Sequence, residues 1–290
     1  MTDIQASATV ASVRVAGGTL RDDLRAVSIV WRRELIRFGR SKLRIITGLS
    51  QPVIYLFVLG TGLSSIVPAS AGGNFNYRTF MFPGVLAMTI LFTSIFSAVS
   101  IVWDREFGFL REMLVAPVRR SALITGKCLG GATVATAQGA LMLVFAGFVG
   151  VPYSPVLLIE LVLLMALTAF VVNALGIVIA SRMEQVESFQ VVMQFVVLPM
   201  FFLSGALFPL NGLPRWLSVL TRLDPLTYLV QPMRRVVFSY VDVPPDARAS
   251  LAPDVTWFGW PVPVSVMVLV SIALGLAFLG VAVYQFSKPE

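Results

Sequence analysis

The 290-residue chain has no histidine and a single cysteine, Cys128. One cysteine cannot close a disulfide within the chain. The missing histidine removes His-based catalytic triads, Cys/His zinc sites and haem attachment through CxxCH. Charge is scarce too. Only 13% of residues are Asp, Glu, Lys or Arg while 57% are hydrophobic, and the mean hydropathy is +0.85. A soluble domain carries about a quarter charged residues, and a water-soluble ball could not hide this much apolar surface. The expected solvent is lipid, and any chemistry must fall to carboxylates, hydroxyls or amides. Lysine is confined to Lys42, Lys127 and Lys288 against 19 arginines, a bias that fits a GC-rich genome.

A bilayer core takes about 20 predominantly apolar residues per helix. Six uncharged or nearly uncharged runs reach that length, at about 45–67, 79–102, 128–150, 156–180, 189–208 and 261–286, and Glu160 is the one ionisable residue inside them. The first forty residues lack a signal-peptide pattern, which predicts a cytoplasmic N-terminus. With that orientation 16 of the 22 lysines and arginines lie on the inner side, in keeping with the positive-inside rule, so both termini are expected in the cytoplasm. The net charge of +7 then reports orientation more than nucleic-acid binding. The fold class expected is an all-α integral membrane protein. A tail with an amphipathic interface helix occupies 1–44, a six-helix transmembrane domain 45–286, and a short tail 287–290.

Two segments outside the spans carry pattern. In the stretch Leu20 to Leu43, apolar Leu24, Val27, Trp31, Leu35 and Phe38 recur every three or four residues among Arg25, Arg32, Arg33, Arg37 and Arg40, as in a basic helix lying on a membrane surface. It is either a positive-inside anchor or a brace against a partner subunit. Between the fifth and sixth spans, residues 209–238 predict two short helices broken at Asp224-Pro225 that dip into the outer leaflet and return. The rival reading, a seventh span over Leu226 to Tyr240, would put Arg234 and Arg235 in the membrane at about 2.5–3.5 kcal/mol each.

Within the spans, Gly131, Ala135 and Gly139, with Gly126 and Gly130 before them, allow close helix approach. Internal packing is favoured over subunit contact. Pro52 predicts a kink, with Gln51 either capping a freed carbonyl or facing a conduit. Buried ionisable groups that could relay ions are nearly absent. A transporter of this kind must draw its energy from elsewhere. The near P-loop Ser121-Ala122-Leu123-Ile124-Thr125-Gly126-Lys127-Cys128 lacks the first glycine and the final Ser/Thr and runs into a span, so it is no ATP site.

The loop after the second span is the most specific segment. Asp104-Arg105-Glu106-Phe107-Gly108-Phe109-Leu110-Arg111-Glu112 followed by Val115-Ala116-Pro117-Val118 predicts a short amphipathic helix over about 104–117 that continues the span and stops at Pro117. It resembles the coupling-helix signature of the ABC-2 family of export permeases, in the branch with daunorubicin-type drug exporters and nodulation-factor exporters. Gln51-Pro52, Phe82-Pro83-Gly84, Ser204-Gly205, Phe208-Pro209, Leu213-Pro214-Arg215-Trp216-Leu217 and Asp224-Pro225-Leu226-Thr227-Tyr228 agree in order, over roughly Ala26 to Phe286. Many members carry Asn where this chain has Asp224.

The resemblance implies half of a transporter in the cytoplasmic membrane of a bacterium, without an ATPase site of its own. A second permease copy, identical or related, would pair with it. Two separate ABC ATPase subunits carrying ATP and Mg would dock through Asp104, Arg105, Glu106, Gly108, Phe109, Leu110, Arg111, Glu112 and Pro117. Arg25, Trp31, Arg32, Arg33 and Arg37 would belong to the interface helix. Ser204, Gly205, Pro209, Trp216, Asp224, Pro225 and Tyr228 would form an outer gate. Polar or aromatic Gln51, Phe57, Asn173, Gln194 and Phe202, set in otherwise aliphatic spans, are candidates for the path of a hydrophobic or amphipathic drug or lipid-like substrate. Packing and helix-to-helix bonding are the alternative roles for each. Polysaccharide or glycolipid export shares the scaffold. An ion-coupled carrier would call for inverted repeats and buried charge pairs, which the sequence does not show, and a membrane-embedded hydrolase or transferase would call for a catalytic constellation, which is also missing. No metal site, no cofactor held by this chain and no nucleic-acid partner are expected.

Overall fold

The computed structural model describes residues 20–64, 77–108, 119–241, 251, 253, 255–257 and 260–287. Among them, six helices are long and apolar enough to cross a membrane, so the protein is an all-α, multi-pass membrane protein. Helix α1 spans Leu20–Arg40. The first crossing helix, α2, runs Lys42–Ile54 and continues through a wide π-type turn, Tyr55–Leu59, into Gly60–Ser64. Pro52, which has no N–H to donate, lies just before that widened turn, where the bonding pattern adjusts around it. The other crossing helices are α3 Tyr77–Glu106, α4 Arg120–Met142 with a tighter turn to Phe145, α5 Pro155–Ala180, α6 Val186–Leu203 and α9 Val264–Ser287. Between α6 and α9 the described residues include the short helices α7 Arg215–Leu223 and α8 Thr227–Ser239 and a two-stranded ribbon, β1 Thr256–Trp257 with β2 Trp260–Pro261. At 13 residues, α8 is about 20 Å long and falls short of the bilayer's roughly 30 Å.

Helix α3 is the centre. Its most apolar window is 89% buried, against 17% for α2 and 22% for α9. A helix that is apolar all round belongs inside a bundle, and α3 meets α4, α5, α6 and α8. The helices alternate in direction. One end of the bundle holds α1 and Asp104; the other holds Tyr77, the α6–α7 connection and the short helices.

The third crossing helix begins at Arg120 instead of near Cys128. Its early turns meet α1, which buries Ala26, Val30 and Glu34, about a quarter turn round the helix from the Leu24, Val27, Trp31, Leu35 and Phe38 stripe. A Cβ built on Gly126 would lie 2.9 Å from Val30 Cβ, and one on Gly130 would lie 2.9 Å from Glu34 Cβ. Only small or slender side chains fit that contact; of the stripe, Val27, Leu35 and Phe38 are half-buried, while Leu24 is 69% exposed. Farther along, Gly131 admits Asn173 of α5, and Gly139 admits Ile90 of α3 and Met165 of α5. The small-residue stripe therefore packs within the chain.

Gly130→Leu is expected to lower the thermal midpoint of the detergent-solubilised chain through overpacking of about 1–3 kcal/mol, whereas Gly280→Leu, which meets nothing within 4 Å, leaves it unchanged in the same assay.

Candidate functional site

The α1 end of α3 carries three consecutive charges, and each is occupied inside the chain. Asp104 pairs with Lys127 of α4 at hydrogen-bond distance, and Arg33 of α1 lies 3.7 Å from the same carboxylate oxygen. Lys127 is only 5% exposed and also reaches the Ser100 carbonyl and hydroxyl at 3.4 Å. Arg105 donates to the carbonyls of Ser181 and Met183 at 2.9 and 3.2 Å and lies over the Phe286 ring of α9. The Glu106 carboxylate accepts the Val186 N–H at 3.0 Å, which caps the N-terminus of α6 where helices favour negative charge. Asp104, Arg105 and Glu106 thus bind α1, α4, α6, α9 and the α5–α6 connection to the end of α3. These contacts within the chain stand beside the expected docking role, with Asp104 and Arg105 half-buried and Glu106 exposed.

The helix expected over 104–117 does not continue α3. It ends at Glu106, and Gly108 adopts φ +78°, a left-handed turn that L side chains resist by about 1–2 kcal/mol. Phe109, Leu110, Arg111, Glu112 and Pro117 lie outside the described residues. On α1, Trp31 donates to Thr133 at 3.0 Å and Arg37 lies 5.4 Å from the centre of the Trp103 ring. Arg25 and Arg32 are exposed.

Beside this charged end a groove opens between α1, α2, α3, α4 and α6. A cavity of about 610 Å³ is lined by Arg44, Gln51, Phe92, Phe96, Trp103 and Gln138 among others. A second of about 460 Å³ shares Gln51, Phe92, Phe96, Val99 and Gln190 with it and extends along α6 past Met193 and Gln194. The shared walls make one continuous depression, aromatic and aliphatic with a few carboxamides, which is the usual make-up of a small-molecule site. Of the candidate path residues, Gln51 and Gln194 meet here. The other three lie elsewhere. Asn173 is buried against α3, with its amide 3.4 Å from the Ser94 carbonyl. Phe57 packs edge-on to Phe145 and Phe148, and Phe202 stands against Phe201. Gln190 and Gln138, which also line the groove, were missed in the sequence. Gln190 lies just inside the apolar run of the fifth span at the same helical spacing, four residues before Gln194.

At the opposite end, the connection after α6 is pinned by a residue of the segment expected to dip into the outer leaflet and return. Arg234 of α8 is completely buried. Its Nη2 donates to the Gly205 and Ala206 carbonyls at 2.6 and 3.3 Å, and its guanidinium lies 4.1 Å from the centre of the Phe80 ring. Tyr77 donates to the Leu207 carbonyl, and a Cβ on Gly84 would strike the Ala206 carbonyl at 2.3 Å. The apolar neighbours Val230 and Val237, one turn either side of Arg234, were the available signal of burial.

The expected gate residues gather around this junction unevenly. Ser204 is buried and accepts the Ala206 N–H at 3.2 Å. Gly205 has φ +73°. Tyr228 donates to the Arg222 carbonyl at 2.7 Å and accepts from Trp257 at 2.8 Å. Pro209 and Pro225 are half-buried, and Trp216 is exposed. Asp224 accepts the Leu226 N–H at 3.1 Å and the Thr227 hydroxyl at 3.3 Å, which forms the break between α7 and α8. Burial pushes its carboxyl up to about 7, against the pull of those hydrogen bonds. Among the described residues no group of three or more Cys, Asp or Glu side chains could hold a metal ion.

Residues 25–238 match the profile of the ABC-2 type transporter family. The chain is 30% identical over 219 residues to Nodulation protein J of Rhizobium leguminosarum bv. trifolii, covering 74% of this chain and 82% of that protein. It is 28% identical over 213 residues to the putative transport permease ycf38 of Cyanophora paradoxa, covering 71% and 72%. To the inner membrane transport permease YadH of Escherichia coli K12 it is 25% identical over 221 residues, covering 76% and 85%.

Lys127→Met leaves the Asp104 carboxylate with Arg33 at 3.7 Å in place of its closest partner and is expected to cost about 3 kcal/mol, while the Lys127→Met/Asp104→Leu double variant regains most of that loss, measured by thermal unfolding in detergent. For Asp224 the folded state holds its proton between the unfolded value, about 3.9, and about 7. The stabilisation is therefore complete below about pH 4 and is lost as pH rises through 7. Trp257 fluorescence during unfolding should show that decline, and Asp224→Asn should flatten it.

Proposed function

The chain belongs to the ABC-2 type transporter family and is a transport permease subunit, and from that premise we propose that it is the membrane-spanning half of an ATP-driven exporter of hydrophobic or amphipathic molecules. Family membership implies an ABC-type ATPase as partner. In this reading the partner binds ATP and Mg, two copies of it serve two permease chains, and the permease contributes no catalytic group. The chain sits in the cytoplasmic membrane of a bacterial cell with both termini inside, so the α1 end faces the cytoplasm and the α7–α8 pair lies at the outer surface.

The observation that supports the reading most is the wiring of the α3 end. The chain leaves α3 at Gly108, immediately beyond Arg105 and Glu106, whose partners lie on α6, α9 and the α5–α6 connection. A movement delivered by an ATPase at that turn reaches several spans without passing through flexible loops, and the neighbouring groove changes shape with them. The Arg234 junction holds the outer connection closed until α3 moves. Transport permeases among the relatives support the cargo-moving role, and the groove's apolar walls favour amphiphiles over bare polysaccharide.

Co-expression with an ABC ATPase should give a complex that co-purifies and drives vanadate-sensitive efflux of an amphiphilic probe from proteoliposomes; no ATP-dependent movement from such a complex would end the exporter reading. Gly108→Trp should insert normally yet lower efflux about tenfold or more, in line with the strain of a bulky residue in a left-handed turn; normal export by that variant would remove the turn from the docking site. A reporter fused to the C-terminus should be active only in its cytoplasmic form.

A further inference from the structure

Among the described residues, the two joined cavities are lined by many neutral side chains and a single charged one, Arg44, with no carboxylate in either lining. The charged groups nearest Arg44 are Arg37 and Glu34, and Glu34 is already held by Arg33 at 3.4 Å. Among the described residues no acid stands within ion-pairing distance of the Arg44 guanidinium.

A second group in the same wall also lacks a partner. Gln138 is 1% exposed. Its Nε2 donates to the Ile45 carbonyl at 2.8 Å, and its Oε1 accepts nothing. A buried amide oxygen left in this state calls for a donor such as a hydroxyl. Beyond these two polar groups the walls are Phe92, Phe96, Met193 and Val197, which suit a hydrocarbon chain.

We propose that the groove binds an anionic amphiphile of the inner leaflet, with the acid of its head group on Arg44, a head-group hydroxyl on Gln138 Oε1 and its chain along α3 and α6. The proposal rests on the exporter reading above and narrows its substrate class. A cationic amphiphile would meet Arg44 in a cavity whose described lining holds no carboxylate, the nearby Glu34 being already paired with Arg33, so the groove discriminates by charge as well as by fit. Guanidinium suits the role because it matches phosphate and carboxylate oxygens in a bidentate fork.

The test uses the full chain in phosphatidylcholine nanodiscs. Trp103 lines the groove, so the difference in quenching between the wild type and Trp103→Phe isolates its signal. Brominated phosphatidylglycerol should quench Trp103 saturably at mole fractions where brominated phosphatidylcholine does not. Arg44→Gln should weaken this about tenfold, the worth of one charge-assisted hydrogen bond, and Arg44→Lys should keep the preference for an acid. Brominated phosphatidylmethanol, anionic but without the hydroxyl, should bind more weakly than phosphatidylglycerol, and Gln138→Met should erase that difference. Arg21→Gln, on the exposed far end of α1, should change nothing, which separates the site from general attraction of acidic lipid to a basic surface. Equal quenching by the two brominated diacyl lipids, an unchanged Arg44→Gln, or stronger quenching by a brominated alkylammonium would overturn the proposal. Because binding is read without ATP, acid preference without efflux would keep the site and sink the exporter reading, whereas efflux without acid preference would do the reverse.

Discussion

Lys127 sits within a membrane-crossing helix and is nearly removed from solvent. Such a cation is tolerable only with a counter-charge and acceptors at hand. Asp104 and Ser100 provide them, which obliges the last turns of α3 to lie against the first turns of α4. Much else at that end follows from this constraint. With α3 and α4 aligned, Arg33 brings α1 to the same carboxylate, and the glycines of α4 let α1 close on it. The next residues of α3, Arg105 and Glu106, are then placed to meet the carbonyls after α5 and the start of α6.

The two ends of α3 solve the same problem with different chemistry. At one end a lysine is matched by a carboxylate. At the other, Arg234 meets no acid among the described residues and is held by two carbonyls and an aromatic face, an arrangement open to guanidinium because it is planar and weakly hydrated. Between these fixed points runs the groove, and α2, which forms one wall, is the least buried of the crossing helices. A rigid centre with a loosely held wall is a plausible architecture for a path that must open and close.

The six crossing helices were legible in the sequence because uncharged runs of that length have few other solutions. The break at Asp224-Pro225 was legible for the same kind of local reason, since proline and a capping carboxylate mark a helix start. What escaped the sequence was partnership across the fold. An uncharged-run criterion stops at Lys127 and so begins the third helix too late, because the cancelling charge lies 23 residues away. The amphipathic stripe of α1 was visible, but a helix lying between lipid and a glycine-lined neighbour has two apolar directions, and periodicity alone does not say which meets the protein. Asp104, Arg105 and Glu106 read as part of a docking helix, and their contacts with α1, α4, α6 and α9 have no local signature in the sequence. Gln51 and Gln194, singled out as candidates for a substrate path, line the same cavity, whereas Asn173, chosen by the same rule, bonds helices together.

The central claim is that α1, the end of α3 and the start of α4 form one unit that carries ATPase movement into the spans. Its most direct test is electron–electron distance measurement in the ATPase complex, between spin labels at the exposed Leu24 of α1 and Phe107 at the end of α3. The account expects the same distance in the nucleotide-free and ATP–vanadate-trapped states, while a label pair from Phe107 to Val58 on the exposed face of α2 shifts. A change in the Leu24–Phe107 distance approaching one helical turn, about 5 Å, would show that the unit comes apart during the cycle and would contradict it.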